Sequence, residues 1–236
     1  MKPSSNLDET SRRSGLLTRG LSLAVIVLFT VIDLASVSPA AAQQTPQQPP
    51  QQTTLRSLLH AFSELPGLEA RFREEKHIAL LAVPVRSEGR IWFVNPGRLM
   101  RRVTRPDASA ALIDGGQLRM RNGDQTQELS IDSNPVLRGF VESFRAVLAG
   151  DQATLERFYD AQLTPGEGDA WTLRLTPRDE ALGAFVREIR MSGHGVSMQE
   201  MLMVEVNGDR TRTEFFEVNP QRRFSAREAR RIFRIR

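Results

Sequence analysis

GRIWFVNPGRLMRRVTRPDASAALIDGG, residues 89–116, is the stretch whose reading decides the fold. Arg90 to Val94 carries apolar side chains at both phases of a period-two pattern, which predicts a strand covered on both faces near the middle of a sheet. Asn95-Pro96-Gly97 turns the chain, and Leu99 to Thr104 runs back as a second strand. Arg105-Pro106-Asp107 makes the next turn, because proline presets φ and aspartate bonds its own backbone. Ala110 to Asp114 is a third strand, closed by the two-residue hairpin loop Gly115-Gly116. The stretch is an antiparallel meander.

Outward from it, Gln117 to Arg121 and Thr126 to Ile131 flank the hairpin signal Asn122-Gly123. Asn134-Pro135 opens a helix through Ala149 that Gly150 ends, and Asp151 to Phe158 is a second short helix. Strands are then expected over Phe158 to Leu163, Trp171 to Thr176, Phe185 to Met191, Val196 to Val206 and Thr211 to Val218. Gly193-His194-Gly195 and Asn207-Gly208 are the hairpins between the last three. On the N-terminal side, Leu68, Ala70 and Phe72 alternate with Glu69, Arg71 and Arg73 as a strand with one wet face. The pattern continues through Ile78 to Val83 and breaks at Pro84. Before it, Thr53 or Thr54 caps a helix whose Leu55, Leu58, Leu59 and Phe62 repeat at helical spacing. About ten antiparallel strands with helices at the start and middle form an α+β chain, mainly β, that curls into a barrel or half-barrel.

The 236 residues, 40% of them hydrophobic, suit one globular domain with appendages. The net charge of +4 says little about partners, because acidic and basic residues intermix and Lys2 and Lys76 are the only lysines. Residues 1–42 read as a signal peptide. Arg12, Arg13 and Arg19 precede an uncharged run from Gly20 to Ile32, and Ala40-Ala41-Ala42 offers a small-x-small cleavage site, so the mature chain is expected to begin at Gln43. Ser11-Arg12-Arg13 also fits a twin-arginine signal. An uncleaved anchor is the rival, although the run is shorter than the roughly 20 residues a spanning helix needs. Residues 43–53 are a disordered Gln/Pro-rich linker, 54–224 the folded domain, and 225–236 a basic tail, a frayed helix or short strand. The absence of cysteine excludes disulfides, thiol chemistry and a lipidated cysteine. A soluble periplasmic protein is the expectation.

Catalysis finds no footing. His60, His77 and His194 fall in a helix, a strand and a hairpin without metal-ligand spacing. No G-x-S-x-G elbow or phosphate-cradling loop is present, and Glu74 and Glu75 point to opposite faces of one strand. No catalytic residue, metal or cofactor is expected. A one-sided basic stripe is missing, so nucleic acid is not an expected partner.

Gly89, Trp92, Pro96, Leu99, Pro106-Asp107 and Asp114-Gly115, with a weaker match from Gly208-Asp209-Arg210-Thr211 to Phe215, Asn219 and Phe224, resemble the LolA-like bacterial outer-membrane lipoprotein carriers. The resemblance covers most of the chain after residue 55. It implies a half-open antiparallel β-barrel capped by a helical lid. It further implies a monomeric periplasmic carrier, not an enzyme, taking acyl chains of a lipoprotein from an inner-membrane exporter to an outer-membrane acceptor. The chain departs from the family at three places. Asn95 stands where members carry an arginine that ties sheet to lid, and Arg101 and Arg119 stand where they carry aromatics.

Met191, Met198, Met201 and Met203 concentrate in consecutive strands. Thioethers adapt to irregular apolar partners, and they also fill ordinary cores; the resemblance tips the reading toward a cavity. The expected apolar lining is Trp92, Leu99, Phe140, Phe144, Met191, Met203 and Phe215, with Asn95 and Arg98 at the lid. Arg98, Arg101 and Arg102, and the tail's Arg222, Arg223, Arg227, Arg230 and Arg231, form a solvated face or meet lipid headgroups or an acidic patch on a membrane partner. A glycolipid, pigment or other free lipid is the alternative cargo, and a lipid hydrolase the alternative from the enzyme class.

Overall fold

The computed structural model describes residues 53–95 and 97–235; the expected signal peptide, the linker up to Gln52, and Pro96 lie outside the described residues. The chain runs through α1 (Leu55–Ser63), β1 (Gly67–His77), β2 (Val85–Val94), β3 (Arg98–Arg105), β4 (Ser109–Asp114), β5 (Gln117–Asn122) and β6 (Gln125–Ser130). A 3-10 turn at Ile131–Ser133 leads into α2 (Pro135–Ala149) and α3 (Gln152–Phe158). Then follow β7 (Tyr159–Pro165), β8 (Ala170–Pro177), α4 (Glu180–Gly183), β9 (Val186–His194), β10 (Ser197–Glu205), β11 (Arg210–Asn219) and α5 (Ala226–Ile232).

All eleven strands belong to one sheet in the order β6-β5-β4-β3-β2-β1-β11-β10-β9-β8-β7, every neighbouring pair antiparallel. β2 is next to the central strand. The two edges, β6 and β7, are consecutive in sequence but joined by α2 and α3, so the chain must cross one face of the sheet to pass between them. Because α2 touches both flanks, the sheet must curl. Its Val141 packs with Leu118 of β5 and with Ile131, while a Cβ on its Gly139 would lie 3.5 Å from Leu182 of α4, between β8 and β9. Strands spaced about 4.8 Å apart put β5 and β8 roughly 38 Å from each other in a flat sheet, and a helix of this length spans about 22 Å. The curled sheet stays open, its edges unpaired with each other.

Local chemistry fixes the helices. Thr54 caps α1 by accepting from the Ser57 amide, and Asn134 caps α2 by accepting from the Leu137 amide, with Pro135 at the first turn. Gly150 ends α2 in the left-handed region at φ 72°, as a C-terminal glycine does. Register shifts sharpen the sheet's bend. One lies between Glu69 and Arg71 of β1, opposite Glu217 of β11 at φ 51°, and another between Met198 and Glu200 of β10.

Three elements differ from the sequence reading, and one is α4, a turn of helix that Asp179 caps by accepting from the Leu182 amide. Ile78 to Pro84 does not prolong β1 but forms a projecting turn, closed by the Leu81 amide on the Ile78 carbonyl. The tail is a capped helix: Ser225 and Glu228 complete a capping box, and Ile232 and Phe233 are buried against Trp92, Met100 and Leu112.

Candidate functional site

The alternation along β1 to β3 sorts the central residues onto two faces. Leu68, Ala70 and Phe72 of β1 stand opposite Phe93, Ile91 and Gly89 of β2, and Leu99 and Val103 of β3 continue that layer. This is the inner face, and α1, α2 and α3 lie across it. The other phase, Trp92, Met100 and Leu112, lies on the outer face under α5. The strand covered on both faces is therefore covered by different helices on each.

Side chains of α1 and α2 fill the inner face. Leu58, Leu59 and Phe62 of α1 and Ala146, Val147 and Leu148 of α2 are buried in one cluster with β1, β2 and β8 to β10. Phe62 meets Trp171 edge to face, the ring centres 6.0 Å apart. Between helices and sheet remains a cavity of about 30 Å³, lined by Phe62, Leu68, Ala70, Ile91, Phe93, Leu99, Phe144, Leu148, Met198, Phe215 and Val218. No polar side chain lines it. That volume is one water's share of liquid, while sites holding small molecules run from about 300 Å³ upward. The helices are thus down on the sheet. The larger clefts are open grooves outside this layer: that of about 560 Å³ is lined mainly by charged side chains, and that of about 850 Å³ mixes charged side chains such as Glu69, Arg90 and Arg222 with uncharged ones.

The apolar floor has a polar border. Beyond Phe72 and Phe215 the inner face carries Glu74, whose carboxylate pairs with Arg101 at 2.7 Å and accepts from Thr213 at 3.1 Å. The Arg101 guanidinium also covers the Phe72 ring at 4.4 Å. Arg101, one of the departures from the family pattern, helps to mark where the apolar lining stops.

The expected site residues divide. Leu99, Phe144 and Phe215 line the cavity, and Phe140, Met191 and Met203 belong to the same apolar layer. Met198 and Met201 join them although three residues apart, because the shift between Met198 and Glu200 returns both to the inner face. Trp92 does not line this layer. It points to the outer face and packs under α5, since its neighbours Ile91 and Phe93 take the inner phase. Arg98 is likewise not at the lid: it shares the outer phase with Met100, pairs with Asp114 at 3.0 Å and stacks on Phe233 at 5.1 Å.

Asn95 does reach a lid helix, its amide donating to the Ser63 carbonyl at the end of α1 over a long 3.4 Å. A residue the sequence did not single out joins it from the opposite side. Arg145 of α2 lies so close over Gly97, at φ 141°, that a Cβ there would sit 2.6 Å from its Nε. The guanidinium meets the turn from the helix rather than from the strand, and only a glycine at 97 leaves it room. Its other contact is Glu142 at 3.1 Å, one turn back along α2. At the rear of the lid, Tyr159 is fully buried, its hydroxyl beside that of Ser143 of α2. Burial pushes its phenol up to about 12. At the start of α3, hydrogen bonds from Thr154 hold the Asp151 carboxyl below its ordinary value, which anchors the cap of that helix.

The family model described as "Outer membrane lipoprotein carrier protein LolA-like" matches residues 47–219. No curated protein matches the chain. Among solved structures, a LolA superfamily protein from Nitrosomonas europaea is 12% identical over 74% of this chain and 96% of its own, with a TM-score of 0.39. The lipoprotein LppX of Mycobacterium tuberculosis is 11% identical over 72% and 98%, at 0.40. MucB, solved in complex with MucA from Pseudomonas aeruginosa, is 17% identical over 72% and 56%, at 0.42.

Proposed function

The chain belongs to the LolA-like family of outer membrane lipoprotein carrier proteins, and on that premise we propose that it carries acyl chains between the inner face of its sheet and the helices α1 to α3. The supporting observation is the character of that layer: wholly apolar where cavity remains, and almost without cavity while the helices are seated. Cargo enters only if the helices move off the sheet. Lifting them exposes side chains worth about 1.5–3 kcal/mol each when buried, and an acyl chain returns about 0.8 kcal/mol per methylene, so roughly ten methylenes return about 8 kcal/mol. Lid and lipid compete for the same surface, and binding is an exchange.

The carrier works in the periplasm after residues 1–42 are removed, as a monomer, receiving a lipoprotein from an inner-membrane exporter and surrendering it to an outer-membrane acceptor. Asn95 is part of the gate. Native mass spectrometry of protein taken directly from the periplasm tests this reading. A triacylated lipoprotein on a chain beginning at Gln43 is the expected result. A free glycolipid or pigment would assign the same layer to a different cargo, and a chain always found empty would refute the carrier.

A further inference from the structure

Among the described residues, exposed large aliphatic and aromatic side chains are not spread evenly. Leu80, Leu81, Val83, Val85, Phe185 and Val206 are exposed, Leu80 at 94% and Val83 at 75%, and they lie along one rim of the sheet. The β1–β2 turn carries the first three, and Val85 opens β2 directly after it. Its Ala79 amide donates to Asp209 Oδ1 at 2.9 Å, and a Cβ on Gly208 would lie 3.8 Å from Ala79 Cβ, so the turn sits against the β10–β11 hairpin. That hairpin begins at Val206, whose amide donates to the Phe185 carbonyl at 2.9 Å. The patch thus runs from β2 across β1, β11 and β10 to β9, about 19 Å at ordinary strand spacing.

Ile78 to Val85 contains no charged residue in eight positions. Folding cannot explain Leu80, which touches almost nothing; a projecting apolar turn is a feature of contact surfaces. The turn is nevertheless held firmly, because Lys76 at its base bridges Glu205 at 2.9 Å and Asp209 at 3.8 Å. Beside it, Arg187 and Arg210 are exposed and have no described carboxylate within 4 Å, Arg187 donating only to the Val206 carbonyl. An aliphatic tip flanked by guanidinium groups complements a layer of phosphates over hydrocarbon.

We propose that this rim docks on an anionic lipid bilayer, with Leu80, Leu81 and Val83 entering the acyl boundary while Arg187 and Arg210 meet the phosphates. The surface is separate from the apolar layer under the lid, so docking and cargo binding fail independently.

Flotation of the mature chain, from Gln43, with vesicles of phosphatidylglycerol and phosphatidylethanolamine tests the proposal. Leu80→Asp with Leu81→Asp should lower the bound fraction at least ten-fold. Arg187→Glu with Arg210→Glu should lower it several-fold and flatten its salt dependence. Leu129→Asp, at an exposed apolar position on the edge strand β6, should change nothing. Thermal midpoints and retention of cargo should match the parent in all three. In a Leu80→Trp variant, lipids brominated along their acyl chains should quench the new emission, since Trp92 and Trp171 are buried. Absence of flotation, equal flotation of the doubly substituted turn, or an unquenched Leu80→Trp variant would overturn the proposal. A concentration-dependent dimer abolished by the same aspartates, without vesicle binding, would overturn it in favour of a second copy.

Discussion

The two faces of the sheet are both covered by helices, but by different kinds of contact. On the inner face α1 and α2 are seated by Leu58, Leu59, Phe62, Val147 and Leu148, with the long Asn95 bond to Ser63 as a polar tie from the sheet. On the outer face α5 is clamped. Arg222 bridges Glu69 at 3.1 Å and Glu228 at 2.8 Å, Arg102 donates to the Ile232 and Arg234 carbonyls, and Arg98 stacks on Phe233. Apolar contact is non-directional, so a hydrocarbon chain can replace it; directed ion pairs and carbonyl bonds have no counterpart in a lipid tail. On the proposed function the inner cover is the exchangeable one, while α5 adds directed ties to its own buried Ile232 and Phe233.

The largest effect that would sharpen this contrast comes from Phe62→Ala. Removing this buried ring should cost the empty protein about 3–5 kcal/mol, read by chemical denaturation. A bound acyl chain should restore much of that by filling the hole, whereas lipid should give no such rescue to Trp92→Ala on the outer face. Next comes Gly150→Ala, where α2 ends against α1. The left-handed φ of 72° and a new Cβ 2.5 Å from the Leu59 carbonyl oxygen should loosen the lid by about 1–3 kcal/mol. Faster lipid release is the expected readout, with tail proteolysis unchanged.

The outer clamp has its own signature in acid. The Ser225 backbone amide, then the Arg222 guanidinium, hold the Glu228 carboxyl down to about 2, below its ordinary value of 4.5. A carboxyl depressed on folding stabilises fully above its unfolded value and loses that contribution as pH falls through its folded one. Amide hydrogen exchange within α5, corrected for its intrinsic pH dependence, should therefore quicken as pH is lowered from about 4.5 toward 2, and Arg222→Ala should bring that change on at higher pH. The smallest effect belongs to Asn95→Arg. A charged donor in place of an amide 3.4 Å from the Ser63 carbonyl should slow release a few-fold, about 1 kcal/mol of added tie, with little change in the thermal midpoint.

Much of this was legible in the sequence where short-range chemistry decides. The meander from Gly89 to Gly116, the Asn134 cap and the Gly150 stop emerge within a residue or two, because turn residues and caps act locally. The two-sided apolar pattern of β2 also announced that both faces would be covered. Period two alone does not say which phase the lid takes, and Trp92 and Arg98 fall on the outer face rather than the inner one. The cover for Trp92 was itself readable, since Ser225 and Glu228 have the spacing of a capping box ahead of Ile232 and Phe233. Ile78 to Val83 reads as strand in the sequence because an apolar run has no period of its own; exposure is a tertiary fact. Arg145 over Gly97 left no signal in the chain, being a meeting of two elements about fifty residues apart.

The central claim is that the inner cover moves while the outer cover stays, and a chain without cysteine allows both to be watched. Spin labels at Arg138→Cys and Thr176→Cys report α2 against β8, and labels at Arg227→Cys and Thr104→Cys report α5 against β3. On loading with a long-chain acyl lipid, double electron–electron resonance should show the first distance lengthening and broadening and the second unchanged. A first distance that stays fixed with lipid bound, or a second that moves with it, would contradict the account.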